Sequence, residues 1–262
     1  MAQIWHSLVG AQILKQSCIN DSCSAKRITI SNPPINLWDA NVITAFNAFM
    51  LSLQDQNDTK VVVFDSDSPD FWASTLDFNL FSPNGIPGRN VSALTNGRAW
   101  GAGDEHLLRM DMRFAGPQAQ FGAPEAAVGV IHVGGLQQLV RLIGPGRASE
   151  YLLAAAQVSA SEAARVGWVN SVYPTVKALH QHVDSVATRI ALFPIEALQA
   201  TKASIAEQAP PKTAFENDLA RFNQLASLPQ ALENLASVLR LSHNQSRSWE
   251  ENLNSNIVQQ LY

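Results

Sequence analysis

Cysteine is nearly absent: of 262 residues only Cys18 and Cys23 are cysteines. A disulfide framework is therefore excluded. The two lie on either side of an expected turn and could pair, but free thiols in a reducing compartment are the expectation. Basic runs are missing too. Eighteen Lys and Arg stand against 22 Asp and Glu, a net charge of -4, which points to no nucleic acid and no anionic membrane surface as partner. No stretch reaches the roughly 20 apolar residues of a membrane helix. Residues 1–10 lack the basic start and long apolar run of a signal peptide, and Gln260-Leu261-Tyr262 is no familiar address. A cytoplasmic protein is the expectation. Gly97, Gly101 and Gly103 do not have the G-x-G-x-x-G spacing of a dinucleotide fold, and neither a Walker loop nor a G-x-S-x-G elbow occurs. Support for dinucleotide chemistry, phosphoryl transfer and serine hydrolysis falls with them. The six histidines are scattered; His180 and His182, two apart on a helix, face different ways and make no metal pair. Neither a metal nor a separate cofactor is expected.

Apolar residues make up 46% of the chain and charged residues 15%, the balance of a compact domain with a sizeable core. Gln12 to Cys18 and Lys26 to Ser31 read as a hairpin around Asn20-Asp21-Ser22. Asp39 or Asn41 caps a helix to about Leu53, and Lys60 to Phe64 is a strand buried on both faces. Phe71 to Thr75, Val91 to Thr95, Arg113 to Ala115, Gln120-Phe121 and Trp168 to Val172 are further strands. Asp77 to Asn90 is irregular. Helices are expected over Glu105 to Met110, over Gly134 to Ile143 with Gly144-Pro145-Gly146 as its stop, over Arg147 to Ala155, and after Ser159 or Ser161. Beyond Pro174 only helices follow: Val176 to Leu192, Pro194 to Glu207, Thr213 to Leu225, Pro229 to Leu241 and a segment from Ser246. The pattern gives an α/β core over residues 1–174 and a helical C-terminal region over 175–262.

Chemistry concentrates between Asn96 and Gly135. A glycine-interrupted loop, Gly97 to Gly103, runs into Asp104 and Glu105, and Glu125 follows in Gly122-Ala123-Pro124-Glu125. Small residues leave backbone N–H groups open to a ligand, and at a helix start those groups favour an anion. Beside Leu107, Leu108 and Met110, burial would raise the Glu105 pKa toward neutrality, as a general acid or base requires. A solvated first-turn acid fits the same residues. The residues alone leave both readings open.

The whole stretch resembles the enoyl-CoA hydratase/isomerase (crotonase) superfamily. Two signature blocks appear in register: Asn96-Gly97-Arg98-Ala99-Trp100-Gly101-Ala102-Gly103-Asp104-Glu105, then Ala119-Gln120-Phe121-Gly122-Ala123-Pro124-Glu125. The third, Gly129-Val130-Ile131-His132-Val133-Gly134-Gly135, is one residue shorter than the family's, and the similarity runs on to Pro174. The resemblance implies a crotonase-like α/β fold of repeated ββα units, with the C-terminal helices serving trimer assembly and pocket cover. It implies an acyl-CoA or related thioester substrate, with coenzyme A as part of that substrate, and a homotrimer or dimer of trimers. It further implies an oxyanion hole from the N–H groups of Ser74 and Ala102, and Glu105 and Glu125 as acid and base, the pairing found in hydratases. Thr75, Leu76, Asp77, Gly101 and His132 fall at substrate-binding positions.

Several residues depart from the family pattern. Thr75 replaces a glycine, so its backbone should work without positive φ. His132 replaces a proline; it is either a structural loop histidine or a substrate contact. Arg98, Asp104 and His106 are polar where relatives are small or apolar, and Asp104 reads as a solvated helix-start acid or a third proton-handling group. The tail, Gln245 to Glu251, lacks the basic ending of many relatives. Enolate chemistry on a carbonyl substrate without coenzyme A, and a non-catalytic assembly module, are the alternative readings.

Overall fold

The computed structural model describes residues 13–56, 58–78 and 97–262. The strand expected at Val91 to Thr95 and most of the irregular Asp77 to Asn90 stretch lie outside them, as does Asn96. Strand β1 (Leu14–Cys18) pairs antiparallel with β2 (Ala25–Ile30), Cys18 opposite Lys26. The turn between them is held by Asn20, whose Oδ1 accepts from Ala25 N at 3.0 Å. The hairpin brings Cys18 and Cys23 to a Cα separation of 4.8 Å, and they form a disulfide. This corrects the expectation of free thiols: the local turn, not a distant contact, makes them neighbours.

Helix α1 (Ala40–Ser52) is capped by Asp39, whose Oδ1 accepts from the N–H groups of Asn41 and Val42. It buries Val42, Ala45, Phe46 and Phe49. Strand β3 (Val61–Ser66) runs parallel to β2. Alternate side chains leave a strand on opposite faces. Phe64 accordingly meets Phe46 and Phe49, while Val63 packs in a separate cluster with Leu179, Val183 and Ala187.

A second sheet carries the central segment. Strands β4 (Phe71–Ala73) and β5 (Arg98–Trp100) run parallel. Helix α2 (Ala102–Leu107) follows β5 directly, starting three residues before the expected Glu105. After β6 (Phe114–Ala115) comes β7 (Gln120–Gly122), parallel to β5, and then α3 (Glu125–Val128). Helix α4 (Leu136–Ile143) ends at Gly144, and α5 (Pro145–Leu153) begins at the next residue. The expected stop at Gly144-Pro145-Gly146 is thus also a start, because proline's fixed φ suits the first helical position.

Strand β8 (Gln157–Ser159) closes the sheet in the order β4-β5-β7-β8, and Ser159 caps α6 (Ala160–Val166) by accepting from Glu162 N. Only Ser171–Val172 forms β9, paired with β6. The strand expected from Trp168 is shortened because the N–H groups of Trp168 and Val169 still donate to Ala163 O at the helix end.

The remainder is helical: α7 (Val176–Ala191), α8 (Ile195–Ala206), α9 (Lys212–Ala226), α10 (Pro229–Leu241), α11 (Arg247–Glu250) and α12 (Leu253–Leu261). Ala231, Leu235, Val238, Trp249, Leu253 and Ile257 share one apolar cluster with Phe71, Trp100 and Val128. The last helices therefore pack against the strands that lead into the central segment. No described helix is long and apolar enough to cross a membrane.

The first turn of α2 lies hard against the end of β4. A Cβ on Gly103 would sit 2.3 Å from Ala73 O and 2.9 Å from Ala73 C, both backbone atoms. Overpacking of this kind costs about 2 kcal/mol. Gly103→Ala should lower the melting temperature by roughly 4–8 °C; a calorimetric melt within about 1 °C of wild type would show that this approach is not a constraint.

Candidate active site

Strands β4, β5 and β7 are parallel neighbours, so their C-terminal ends open on one side of the sheet. Open parallel sheets bind ligands there. From these ends come Ser74 and Thr75 after β4, Gly101 to Glu105 after β5, and Ala123-Pro124-Glu125 after β7. Residues far apart in the chain meet because their strands do.

Gly101 has φ +48° and ψ -115°. A Cβ there would come 2.7 Å from Glu125 Oε1 and 3.4 Å from the Thr75 methyl, so only glycine leaves room for the carboxylate. The Glu105 side chain is 20% exposed; its Oε1 accepts from Val133 N at 2.6 Å. Ala102 is half-buried as the first residue of α2, where an N–H has no partner within the helix. Ser74 is fully buried, and its N–H donates to Asn36 O at 3.2 Å. Thr75 is not among the residues of positive φ, as expected for its side chain. Leu76 bridges to Trp38, and Asp77 N–H donates to Trp38 O.

His132 is 3% exposed and stands between the two glutamates. Its Nδ1 lies 3.5 Å from Glu105 Oε1 and 3.4 Å from Glu125 Oε2, while Nε2 lies 3.4 Å from Asp104 Oδ2. Asp104 is completely buried, with Oδ1 accepting from Trp168 Nε1 at 2.9 Å. This corrects its reading as a solvated helix-start acid: the second residue after Ala102 turns inward because α2 starts early. Burial would depress the His132 pKa, but the surrounding carboxylates of Glu125, Asp104 and Glu105 outweigh it and raise the value well above the usual range. Burial likewise pushes Asp104 and Glu105 upward. His106 differs. Burial lowers it to about 4, and its ring stacks on Trp38 at 3.9 Å with Nδ1 2.6 Å from Ala102 O. A neutral, donating His106 holds the start of α2.

A further group comes from the C-terminal helices. Glu250 on α11 is fully buried, and its carboxyl accepts from Ser74 Oγ at 2.5 Å and lies 3.4 Å from Thr75 Oγ1. Trp100 Nε1 donates to its carbonyl at 3.2 Å. Gln245 donates from Nε2 to Thr75 Oγ1 and Leu76 O, and accepts from Phe78 N. Residues 74–78 are thus clamped from some 170 positions away. Only the acidic character of the tail was visible in the sequence, not its target.

Burial raises the Glu250 pKa from 4.5 to about 7, against the lowering effect of its bonds to Ser74, Gln245 and Thr75. The folded chain keeps this proton where the unfolded chain has lost it, so the group's contribution to stability falls as pH rises from 4.5 to about 7 and is constant above. Wild type should lose about 2 kcal/mol from this group between pH 5.5 and pH 8. In Glu250→Gln the loss over that interval should shrink by that amount in urea titrations, and an identical pH slope in the variant would refute the assignment.

Comparison with known proteins places the chain in a family. The enoyl-CoA hydratase/isomerase family profile matches residues 88–251. The 2,3-dehydroadipyl-CoA hydratase of Escherichia coli (strain K12) is 32% identical over 166 residues, 63% of this chain and 60% of that protein. The crotonyl-CoA hydratase of Syntrophomonas wolfei is 42% identical over 101 residues, 38% of each chain. The alignments thus span less than two thirds of these curated relatives. Among solved structures, a candidate enoyl-CoA hydratase from Streptomyces avermitilis superposes with a TM-score of 0.84 at 30% identity, covering 94% of this chain and 96% of that one. A profile match over more than half the chain, and a crotonase architecture shared almost end to end, identify the chain as a member of the enoyl-CoA hydratase/isomerase family.

Proposed function

We propose that the protein is a hydratase-type lyase, adding water to, or removing it from, a double bond conjugated to the carbonyl of a coenzyme A thioester. The observation that carries this reading is that carboxylate oxygens of Glu105 and Glu125 lie within 4.8 Å of one another and of a His132 ring nitrogen, beside the start of α2. In the hydration direction one glutamate takes a proton from water as its oxygen bonds to the β-carbon. The thioester becomes an enolate, and the other glutamate delivers a proton to the α-carbon. The double bond is consumed and one water is added, with no net oxidation.

The enolate oxygen would be held by Ala102 N–H, with Ser74 N–H as second donor. Donors fixed where charge develops are worth about 3 kcal/mol each. Ser74 N–H already donates to Asn36 O at 3.2 Å, the long end of the usual range, so its share would be taken from that bond. Gly101, Thr75, Leu76 and Asp77 would line the substrate, and Glu250 would fix the Ser74-Thr75 turn. The hydratase names of the relatives support a coenzyme A thioester. Against it, the tail's one arginine, Arg247, is paired with Asp70 and Glu251 and is not a free phosphate ligand. This favours, as the second reading, the same enolate chemistry on a carbonyl substrate without coenzyme A. Assembly as a homotrimer or dimer of trimers belongs to the proposal. It is supported by α8, which buries no residue, by the exposed Ile205 near its end and by the exposed Leu192 that caps α7 just before it.

Enoyl-CoA thioesters supplied to the full chain should be hydrated. Glu105→Gln and Glu125→Gln should each lower kcat roughly 10²- to 10⁴-fold with little change in fold. Wild-type turnover in both variants would remove the assigned roles, and calorimetry showing no affinity for coenzyme A or acyl-CoA would move the substrate to the second reading.

A further inference from the structure

His132, Glu105 and Glu125 also bring together the donor atoms of a metal site. We propose that His132, Glu105 and Glu125 form a binding site for a divalent transition-metal ion of the zinc class, and that its occupancy excludes proton transfer by the glutamate pair. The competitive part rests on the hydratase reading; the site itself does not.

The donor set comes first. One ligand atom from each of the three residues lies within 4.8 Å of the others. His132 Nδ1 is 3.5 Å from Glu105 Oε1 and 3.4 Å from Glu125 Oε2. A tetrahedral ion with bonds of about 2.0–2.1 Å keeps neighbouring ligand atoms about 3.3–3.4 Å apart. Two edges of such a site therefore already exist. An imidazole with two carboxylates suits zinc and its neighbours better than magnesium or calcium, which prefer oxygen alone.

The imidazole is also unpartnered. His132 is 97% buried by its 3% exposure, and among the described residues neither ring nitrogen has a well-formed hydrogen bond. Glu125 Oε2 and Asp104 Oδ2 are buried and unbonded in the same way. Buried polar atoms are rarely left so. A dication bound at Nδ1 would answer the two glutamate oxygens facing it.

The outer shell fits as well. Histidine ligands of metals usually present their second ring nitrogen to a carboxylate. Here Nε2 faces Asp104 Oδ2 at 3.4 Å, and Trp168 Nε1 orients Asp104 from its other oxygen. Val133 N–H fixes Glu105. A cavity of about 250 Å³, lined by Val133, Gly134, Arg109 and Phe215 among others, lies beside the loop that carries His132.

The full chain, without substrate, should bind one Zn²⁺ in isothermal calorimetry with a Kd of about 10 μM or tighter. His132→Gln should weaken binding by about 100-fold or more, and Asp104→Asn by roughly 10- to 100-fold. If His132→Gln does not fold, pulsed EPR of the Cu²⁺-loaded wild type takes its place and should show a coordinated imidazole nitrogen. A Kd weaker than about 1 mM, affinity unchanged in His132→Gln, or no imidazole coupling would overturn the site. Hydration of an enoyl-CoA should fall in proportion to Zn²⁺ bound, and turnover indifferent to occupancy would overturn the competition. A chain that binds zinc but turns over no enoyl thioester retains the site and loses the hydratase reading.

Discussion

Asp104, Glu105 and Glu125 converge on His132, each with one carboxylate oxygen 3.4 to 3.5 Å from an imidazole nitrogen. Negative charge at that density endures burial only where positive charge or hydrogen-bond donors answer it. The surrounding structure supplies both. His132 is held toward its protonated form by the carboxylates, Trp168 donates to Asp104, and Val133 N–H donates to Glu105. Removing any one of these would leave a buried carboxylate uncompensated.

The same constraint explains the backbone around the site. Glu125 fits only because Gly101 has no side chain, and α2 reaches the end of β4 only because Gly103 has none. The helix start carrying Ala102, Asp104 and Glu105 is thereby pressed against the turn carrying Ser74 and Thr75. That turn is fixed from behind by Glu250 and Gln245, which reach it from the C-terminal helices through an apolar cluster shared with Trp100 and Phe71. The placement of the candidate site and C-terminal packing are one problem in this chain. A loss of packing around Trp249 or Leu253 would be felt at Ser74.

Function follows from what this arrangement permits. In the proposed reaction the two neighbouring glutamates exchange protons with a substrate whose carbonyl becomes an enolate. The fully buried Asp104 and His132 do not face bulk solvent, and the imidazole acts on Glu105 against the upward push of burial. Asp104 places a third carboxylate beside the imidazole, and the donors gathered there are what the proposed cation would use.

Much of this was legible in the sequence because it is local. The glycine loop, the register of Glu105 and Glu125, the Asp39 and Ser159 caps and the Pro229 helix start follow from neighbours within a few residues. The family resemblance added Ser74 and Ala102 as candidate oxyanion donors. What the sequence did not decide depended on distant contacts. Asp104 read as solvated until Trp168, 64 residues on, was seen to hold it. Cys18 and Cys23, five residues apart, are a local exception: they read as free until the geometry of the hairpin turn joined them. His132 was a lone loop histidine, and Glu250 one acid in a polar tail, because nothing in their own segments marks a partner. Periodicity and capping report the forces along a helix or strand, and those act over one or two turns. The charge state of a buried group is set by whatever the folded chain brings within a few ångströms, so only the tertiary structure could assign it.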